Sequence, residues 1–222
     1  MKLFFFDVET TGLNSWKDRI WQLSYEVLLD GRSVSAGNLF ASPGTQHVWA
    51  PVARQMAAKA VKRMADMELD EFLDGKMSQQ DLHAELCKIL TPHVNKFDKA
   101  DKFFAVGYNT HFDYEFLYSL GKLVGDRFFP GSLLFWPPID VAQLAALRFP
   151  AAWAKLANRK LGSAAECCGI AVDPDLLHDA MYDIQLTKQI FDIVMEEHNA
   201  KEHPQRGPEA VQDLHCGGSP RS

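Results

Sequence analysis

The chain has 222 residues, of which 47% are hydrophobic and 23% are charged. These proportions are close to the averages of globular domains, and they exclude an intrinsically disordered chain, a collagen and a coiled coil. The 23 basic and 29 acidic residues give a net charge of −6. That balance argues against a protein that coats nucleic-acid backbones non-specifically, since such proteins are usually basic, but it is compatible with a carboxylate cluster that binds divalent cations.

The N-terminus and the cysteines bear on the compartment. The apolar run at residues 3–6 is too short for the core of a signal peptide or for a membrane span. The four cysteines contain no CxxC pair, and two of them, Cys167 and Cys168, are adjacent, which suits a reduced setting. We therefore expect a soluble, cytoplasmic protein that does not associate with a membrane.

The first forty residues predict three strands in antiparallel order. Residues 3–9 form a short apolar run, which is typical of a buried strand. Residues 20–29 alternate in hydrophobicity, Asp30 and Gly31 favour a tight turn, and residues 32–40 return as the partner strand.

The rest of the chain alternates between helical and strand patterns. Helices are predicted at about 51–67, 79–97, 109–124 and 180–197 and after residue 141, and strands at 103–107 and 139–141. This order predicts an α/β fold in which a mixed sheet is flanked by helices. The acidic segment 66–74 is interpreted as a solvated turn or helix end.

The last residues differ from the rest in composition. Residues 198–222 are polar and contain several prolines and glycines, which predicts a flexible tail. The chain is therefore expected to consist of one domain at 1–197 and a tail at 198–222.

Four acids stand out because they lie where strands end or helices begin. Asp7 and Glu9 are two residues apart in a buried strand and therefore share one face, where two carboxylates repel each other unless a cation compensates. Asp113 follows the strand at 103–107, and Asp183 follows His178 at the start of the last helix. Each of these residues alone is more simply explained as an ordinary surface or helix-start group, but together the carboxylates are the oxygen ligands that hard divalent cations prefer.

Three motifs resemble those of one enzyme superfamily. FDVETTGL at 6–13, YNTHFDYEFL at 108–117 and HDAMYD at 178–183 occur in this order. They resemble the DEDDh branch of the DnaQ-like 3′→5′ exonuclease superfamily, and within it the epsilon-type proofreading subunits of bacterial DNA polymerase III. His178, five residues before the last aspartate, fits the histidine branch, whereas the tyrosine branch would have a tyrosine where Asp179 stands. The resemblance covers about residues 1–195 and implies a ribonuclease H-like exonuclease fold.

The resemblance also implies a reaction. It is the metal-dependent hydrolysis of phosphodiester bonds at the 3′ end of single-stranded or frayed DNA, which releases nucleoside 5′-monophosphates. Two Mg²⁺ or Mn²⁺ ions would be held by Asp7, Glu9, Asp113 and Asp183. Asp7 would contact both ions, and His178 would deprotonate the attacking water.

The same resemblance implies where the substrate would bind. The implied substrate-binding residues are Thr10, Thr11, Gly12, Leu13, Asn109 and Phe112. The turn at 10–13 would meet the terminal nucleotide, with Leu13 wedged against its base, and Phe112 would either stack on a base or pack in the core. Asn109 is most simply a helix cap. Basic residues that could follow a phosphate backbone are Lys59, Lys62, Arg63, Arg148, Lys155, Arg159 and Lys160.

Two alternatives to a DNA exonuclease stay open at this point. An exoribonuclease or oligoribonuclease that trims RNA 3′ ends would use the same motifs, and region 56–80 lacks the His-Gly-hydrophobic turn that many family members use to hold the terminal base. A non-catalytic interaction module would typically have lost one of the acids or the histidine, and all five are present. The tail at 198–222 could dock on a polymerase or another nucleic-acid-processing protein.

Overall fold

The computed structural model describes residues 1–95 and 97–202, and the side chains of all of these except 197–202. The tail predicted at 198–222 therefore lies almost wholly outside the described residues. The strands are β1 (Lys2–Thr10), β2 (Ile20–Leu29), β3 (Arg32–Phe40), β4 (Phe104–Gly107) and β5 (Ile139–Asp140). The helices are α1 (Pro51–Ala65), α2 (Leu69–Leu73), α3 (Gln79–Leu90), α4 (Thr110–Val124), α5 (Val141–Arg148), α6 (Pro150–Trp153), α7 (Leu161–Cys167) and α8 (Ala180–Glu202).

The strands form one mixed sheet in the order β3-β2-β1-β4-β5. β1, β2 and β3 pair antiparallel, as predicted, and β4 and β5 are parallel to β1 and to each other. The turn between β2 and β3 is formed by Asp30 and Gly31, which both have positive φ angles, 49° and 78°. A two-residue turn of this kind matches the right-handed twist of the two strands. The predicted α/β fold with a mixed, helix-flanked sheet is confirmed.

The alternation of β1 assigns its side chains to two helical layers. Phe4, Phe6 and Val8 belong to the core cluster that α3 and α4 complete. Leu3 and Phe5 belong to the cluster that α5, α7 and α8 complete. Each fully buried side chain of this size stabilises the fold by about 1.5–3 kcal/mol. Because side chains two apart share a face, the row of Leu3 and Phe5 continues into Asp7 and Glu9.

Several boundaries differ from the sequence predictions. The helix predicted at 79–97 ends at Leu90 and is followed by one 3₁₀ turn, Thr91–His93. Pro92 lacks the amide hydrogen that a continuing α-helix needs. The last helix continues to Glu202, and the short helices α6 and α7 were not predicted. Among the described helices, none has both the length and the apolar character needed to cross a lipid bilayer.

The acidic segment 66–74 folds in part. It contains α2, whose Leu69, Phe72 and Leu73 pack in a cluster with Trp21. The acids of the segment are exposed, so the solvated character predicted for them is confirmed, while the apolar residues between them form a helix.

Candidate active site

Four acids meet in a cleft at the carboxyl-terminal end of β1. The cleft has a volume of about 730 Å³, and its walls include Asp7, Glu9, Asp113, Asp183 and His178. β1 pairs with β4 only as far as Phe5, because β4 ends at Gly107. The remaining edge of β1 faces the first turn of α4, where Asp113 accepts a hydrogen bond from the Val8 amide at 3.0 Å. The strand end therefore fixes Asp113 beside the β1 acids.

The entry into α4 depends on a close approach of two backbones. A Cβ atom at Gly107 would lie 3.0 Å from the Phe6 carbonyl oxygen and 3.1 Å from Thr110, so only glycine fits there without a shift. Asn109 precedes the helix with a φ of 56°, lines the cleft, and makes no side-chain capping hydrogen bond. Its backbone amide donates instead to Asp140 Oδ1 at 3.0 Å. Asn109 therefore occupies the N-cap position, as predicted, but its side chain does not cap the helix.

Burial raises the pKa of all four acids, and repulsion from neighbouring carboxylates raises it further. Burial is the largest cause for each, and Asp7, whose pKa is raised well above its usual value, is also repelled by the other three. The pKa of Glu9 and that of Asp113 are raised to about 8, the latter despite the hydrogen bond from the Val8 amide. The pKa of Asp183 is raised to about 7, and its Oδ1 is buried with no hydrogen-bond partner. Without a compensating positive charge these groups resist ionisation together.

The donor set fits hard divalent cations. It consists of carboxylate oxygens alone, one of them buried and unsatisfied, and Mg²⁺ and Mn²⁺ prefer oxygen ligands. No three of these acids bring an oxygen each within 4.8 Å of the others, as expected of charges that repel. Bound cations would convert this repulsion into attraction and restore ordinary ionisation.

Removing one charge should stabilise the cation-free protein. Because the pKa of Glu9 is raised from 4.5 to about 8 in the fold, the folded state holds a proton that the unfolded state has lost, and the free energy of unfolding falls as pH rises between these values. We expect Glu9→Gln to raise Tm by several degrees in EDTA at pH 8 and to change it little at pH 5. Calorimetry measures both, with exposed Glu68→Gln as the control. An equal Tm for wild type and Glu9→Gln at pH 8 would contradict the raised pKa.

His178 lies at the rim of the cleft in the segment 173–179, which we call the His178 loop. Its side chain is exposed and its φ is 68°. Partial burial lowers its pKa, and the nearby charges of Lys160 and Arg63 lower it further. The imidazole is therefore neutral near pH 7 and can accept a proton, which is what a general base requires.

The His178 loop is attached to elements on both sides. The Asp173 amide donates to the Tyr182 hydroxyl at 2.7 Å. Asp179 caps α8, since its carboxylate accepts the Met181 and Tyr182 amides at 3.1 Å. From α1, Arg63 donates to the Asp175 carbonyl oxygen and approaches the Asp179 carboxylate at 3.8 Å. Arg63 therefore contacts the His178 loop on both sides of the histidine.

The turn at 10–13 presents Leu13 to the cleft. Thr10 Oγ1 donates to the Gly12 carbonyl oxygen at 2.7 Å, and Thr11 Oγ1 lies 2.7 Å from His47 Nε2. Both threonines are buried, and no room remains for a Cβ at Gly12 beside the Asp18 carboxylate. Leu13 is 87% exposed and lines the cleft. The Thr10 hydroxyl is thus used within the turn and the Thr11 hydroxyl contacts His47, and binding of substrate by the turn stays a prediction.

The remaining walls combine predicted and unpredicted residues. Phe112 lines the cleft while its ring packs 5.0 Å from that of Phe116, so it has access to both of its predicted environments. Arg159 and Lys160, two of the candidate phosphate-binding residues, form part of the wall together with Trp153 and Gln143. The last two were missed, because neither belongs to a motif. The Tyr108 hydroxyl donates to the Arg159 carbonyl oxygen at 2.7 Å, which ties this wall to β4.

Comparison with known proteins identifies the fold. No protein-family model matches the sequence, and no curated protein matches it significantly. Solved structures do match, among them zinc-bound Escherichia coli exonuclease I in complex with single-stranded DNA, at 18% identity and a TM-score of 0.63 over 92% of this chain and 41% of that one. Exonuclease I from Methylocaldum szegediense matches at 17% identity and a TM-score of 0.65, over 89% of this chain and 41% of that one.

A further exonuclease I structure matches at 18% identity and a TM-score of 0.62 over 92% of this chain and 42% of that one. The chain thus spans about two fifths of the length of these proteins. The likeness confirms the predicted ribonuclease H-like fold.

Proposed function

We propose that the chain is a divalent-cation-dependent 3′→5′ exonuclease that hydrolyses single-stranded or frayed DNA from its 3′ end and releases nucleoside 5′-monophosphates. The observation that carries the proposal is the convergence of four acids from β1, α4 and α8, one buried and three half-buried, on one cleft that also holds a neutral histidine. Four carboxyl groups withdrawn from water in one cleft destabilise the fold unless cations compensate. Such a cost is expected where the bound cations take part in a reaction.

Asp7, Glu9, Asp113 and Asp183 would hold two Mg²⁺ or Mn²⁺ ions. When bound, such ions stabilise the charge that develops on the attacking and leaving oxygens of a phosphodiester. Asp7 is best suited to contact both ions, because its carboxylate lies close enough to the other three acids for their charges to raise its pKa. The unsatisfied Oδ1 of Asp183 supplies a further donor.

His178 would accept the proton of the attacking water at an imidazole nitrogen. Its lowered pKa keeps that nitrogen unprotonated near pH 7, and its side chain lines the same cleft as the acids. Lys160, which lines the same cleft as His178, would attract the scissile phosphate. Its positive charge also lowers the pKa of His178 and so disfavours a proton on the imidazole before the reaction begins.

The walls suit the unpaired end of a strand. Leu13 and Phe112 offer apolar surfaces to bases, and stacking on an aromatic ring contributes about 1–3 kcal/mol per base without regard to sequence. Arg159 and Lys160 offer positive charge to the backbone. DNA is favoured over RNA because the matching exonuclease I structures contain DNA oligonucleotides. The resemblance to epsilon-type subunits and docking through the tail at 198–222 stay predictions.

Polarity and sugar preference test this function. We expect a 5′-labelled single-stranded DNA to shorten stepwise from its 3′ end with release of 5′-monophosphates, because the cleft accommodates a free strand terminus. A 3′-phosphorylated DNA should be degraded much more slowly, and RNA of the same sequence should be a poorer substrate. Time courses on denaturing gels measure all three. Internal fragments, or early release of the labelled 5′ nucleotide, would contradict the proposal, whereas faster degradation of RNA would favour the exoribonuclease.

A further inference from the structure

A second group of potential ligands lies far from the cleft, between α3 and the end of α4. His83 and Cys87 are four residues apart on α3 and so lie on the same face of the helix. Asp126 follows α4. The sulfur of Cys87 lies 3.7 Å from His83 Nε2, Asp126 Oδ2 lies 3.2 Å from the same nitrogen, and the three ligand atoms lie within 4.8 Å of one another.

The two separations that involve His83 Nε2 match edges of a tetrahedral zinc site. Zinc binds cysteine sulfur at about 2.3 Å and histidine nitrogen or carboxylate oxygen at about 2.0–2.1 Å, so a tetrahedral angle separates sulfur from nitrogen by about 3.6 Å and nitrogen from oxygen by about 3.4 Å. The observed distances of 3.7 Å and 3.2 Å differ from these by about 0.2 Å or less. An ion could therefore enter with little movement of the side chains.

The surroundings hold the ligands in place. Asp126 Oδ1 accepts the amides of Phe128 and Phe129 at 2.9 Å and 3.2 Å, which leaves Oδ2 to face His83. The His83 ring packs edge-on against the Phe129 ring at 4.6 Å. The His83 and Asp126 side chains are 14% and 32% exposed, so the group is largely shielded but still reachable by an ion. In protein metal sites, hydrogen bonds like those to Asp126 orient the ligands toward the ion.

We propose that His83, Cys87 and Asp126 form a second cation site, selective for a thiophilic ion such as Zn²⁺, with water as the fourth ligand. Mixed sulfur, nitrogen and oxygen donors favour zinc over Mg²⁺. Asp113 in the first turn of α4 and Val124 at its end are separated by about 16 Å along the helix, so this site is distinct from the acids of the cleft. It joins α3 to the segment after α4 and therefore stabilises one layer of the fold. The inference does not depend on the proposed nuclease function.

Cobalt spectroscopy tests the site on the full chain. We expect Co²⁺ to produce the intense near-ultraviolet absorption of a thiolate-to-cobalt bond, and Zn²⁺ to abolish it by displacement. Cys87→Ser should lose this band and His83→Gln should weaken or lose it, while Asp7→Asn should keep it, because the acids of the cleft contain no sulfur. Since both altered ligands are only partly buried, circular dichroism should show that each variant is folded.

Thermal unfolding supplies the second measurement. Zinc at about one hundred times its Kd should raise the wild-type Tm by about 5–10 °C more than it raises the Tm of Cys87→Ser, if it binds only the folded state, because the acids of the cleft are present in both proteins. Absence of the band in the wild type, or an undiminished band in Cys87→Ser, would overturn the proposal. A zinc-dependent rise in Tm of equal size in the wild type, Cys87→Ser and His83→Gln would also overturn it, by assigning all of the stabilisation to other ligands.

Discussion

Asp7→Asn should lower kcat on single-stranded DNA by about 10³-fold or more. The charges of the three other acids all raise the pKa of Asp7, so replacement of Asp7 would weaken both cation positions. Stabilisation of the reacting charges by the cations is worth several kcal/mol, and each 1.36 kcal/mol corresponds to a factor of ten in rate. Steady-state kinetics in saturating Mg²⁺ measures the effect. Asp175→Asn, an exposed acid on the His178 loop, serves as the control and should retain wild-type kcat.

Loss of activity in Asp7→Asn must not come from unfolding. The fold raises the pKa of Asp7, so this carboxyl group costs stability at pH 8 in the absence of cations, and its replacement by a neutral amide should leave Tm in EDTA the same or raise it. A folded Asp7→Asn variant that keeps more than a tenth of the wild-type kcat would reject the central role of this residue.

His178→Ala should lower kcat by about 10²–10⁴-fold, the usual contribution of a general base. Substrate affinity should change little, since the acids and the apolar walls are untouched. His111→Ala, an exposed histidine on α4 that contacts Glu115 at 3.1 Å, provides a matched control. Near-wild-type kcat in His178→Ala would leave the fold and the cation site standing and would remove the histidine from the reaction.

The pH profile adds a second readout for His178. Burial, Lys160 and Arg63 all lower its pKa below the ordinary 6.5, and only the neutral imidazole accepts a proton. The titration of His178 should therefore make the wild-type rate rise with pH below pH 6.5 and contribute no further change above it. We call this rising part of the profile the acidic limb. His178→Ala should lack that limb. A limb of unchanged position in the variant would assign it to another group.

The acids of the candidate site could be predicted because local sequence places them. The pleat of β1 puts Asp7 and Glu9 on one face whatever the rest of the chain does, and Asp113 and Asp183 each belong to a short motif. The three meandering strands were predictable for the same reason, since alternation and one Asp-Gly turn specify them.

The rest of the site depends on contacts between distant segments. Trp153 and Gln143 line the cleft only because α5 and α6 pack beside it, and no periodicity marks either residue. Arg63 reaches the His178 loop across 112 positions of sequence. The helix predicted to run to residue 97 ends at Leu90. The prediction followed the apolar periodicity, which continues past Pro92, but proline cannot donate the backbone hydrogen bond that a continuing helix needs.

The second ligand group shows the same limit. His83 and Cys87 are visible as a helical pair in the sequence, but Asp126 joins them only through the packing of α3 against α4. Nothing in the spacing of the four cysteines indicates a metal site, so the group becomes recognisable only in three dimensions.

The cation requirement tests the central claim most directly. The purified protein should be incubated with 5′-labelled single-stranded DNA after treatment with EDTA, and then with Mg²⁺ or Mn²⁺ added in excess of the chelator. Because the four acids of the cleft cannot remain ionised together without cations, cleavage should stop in EDTA and return with either ion. Full cleavage in the chelated, cation-free buffer would contradict the account.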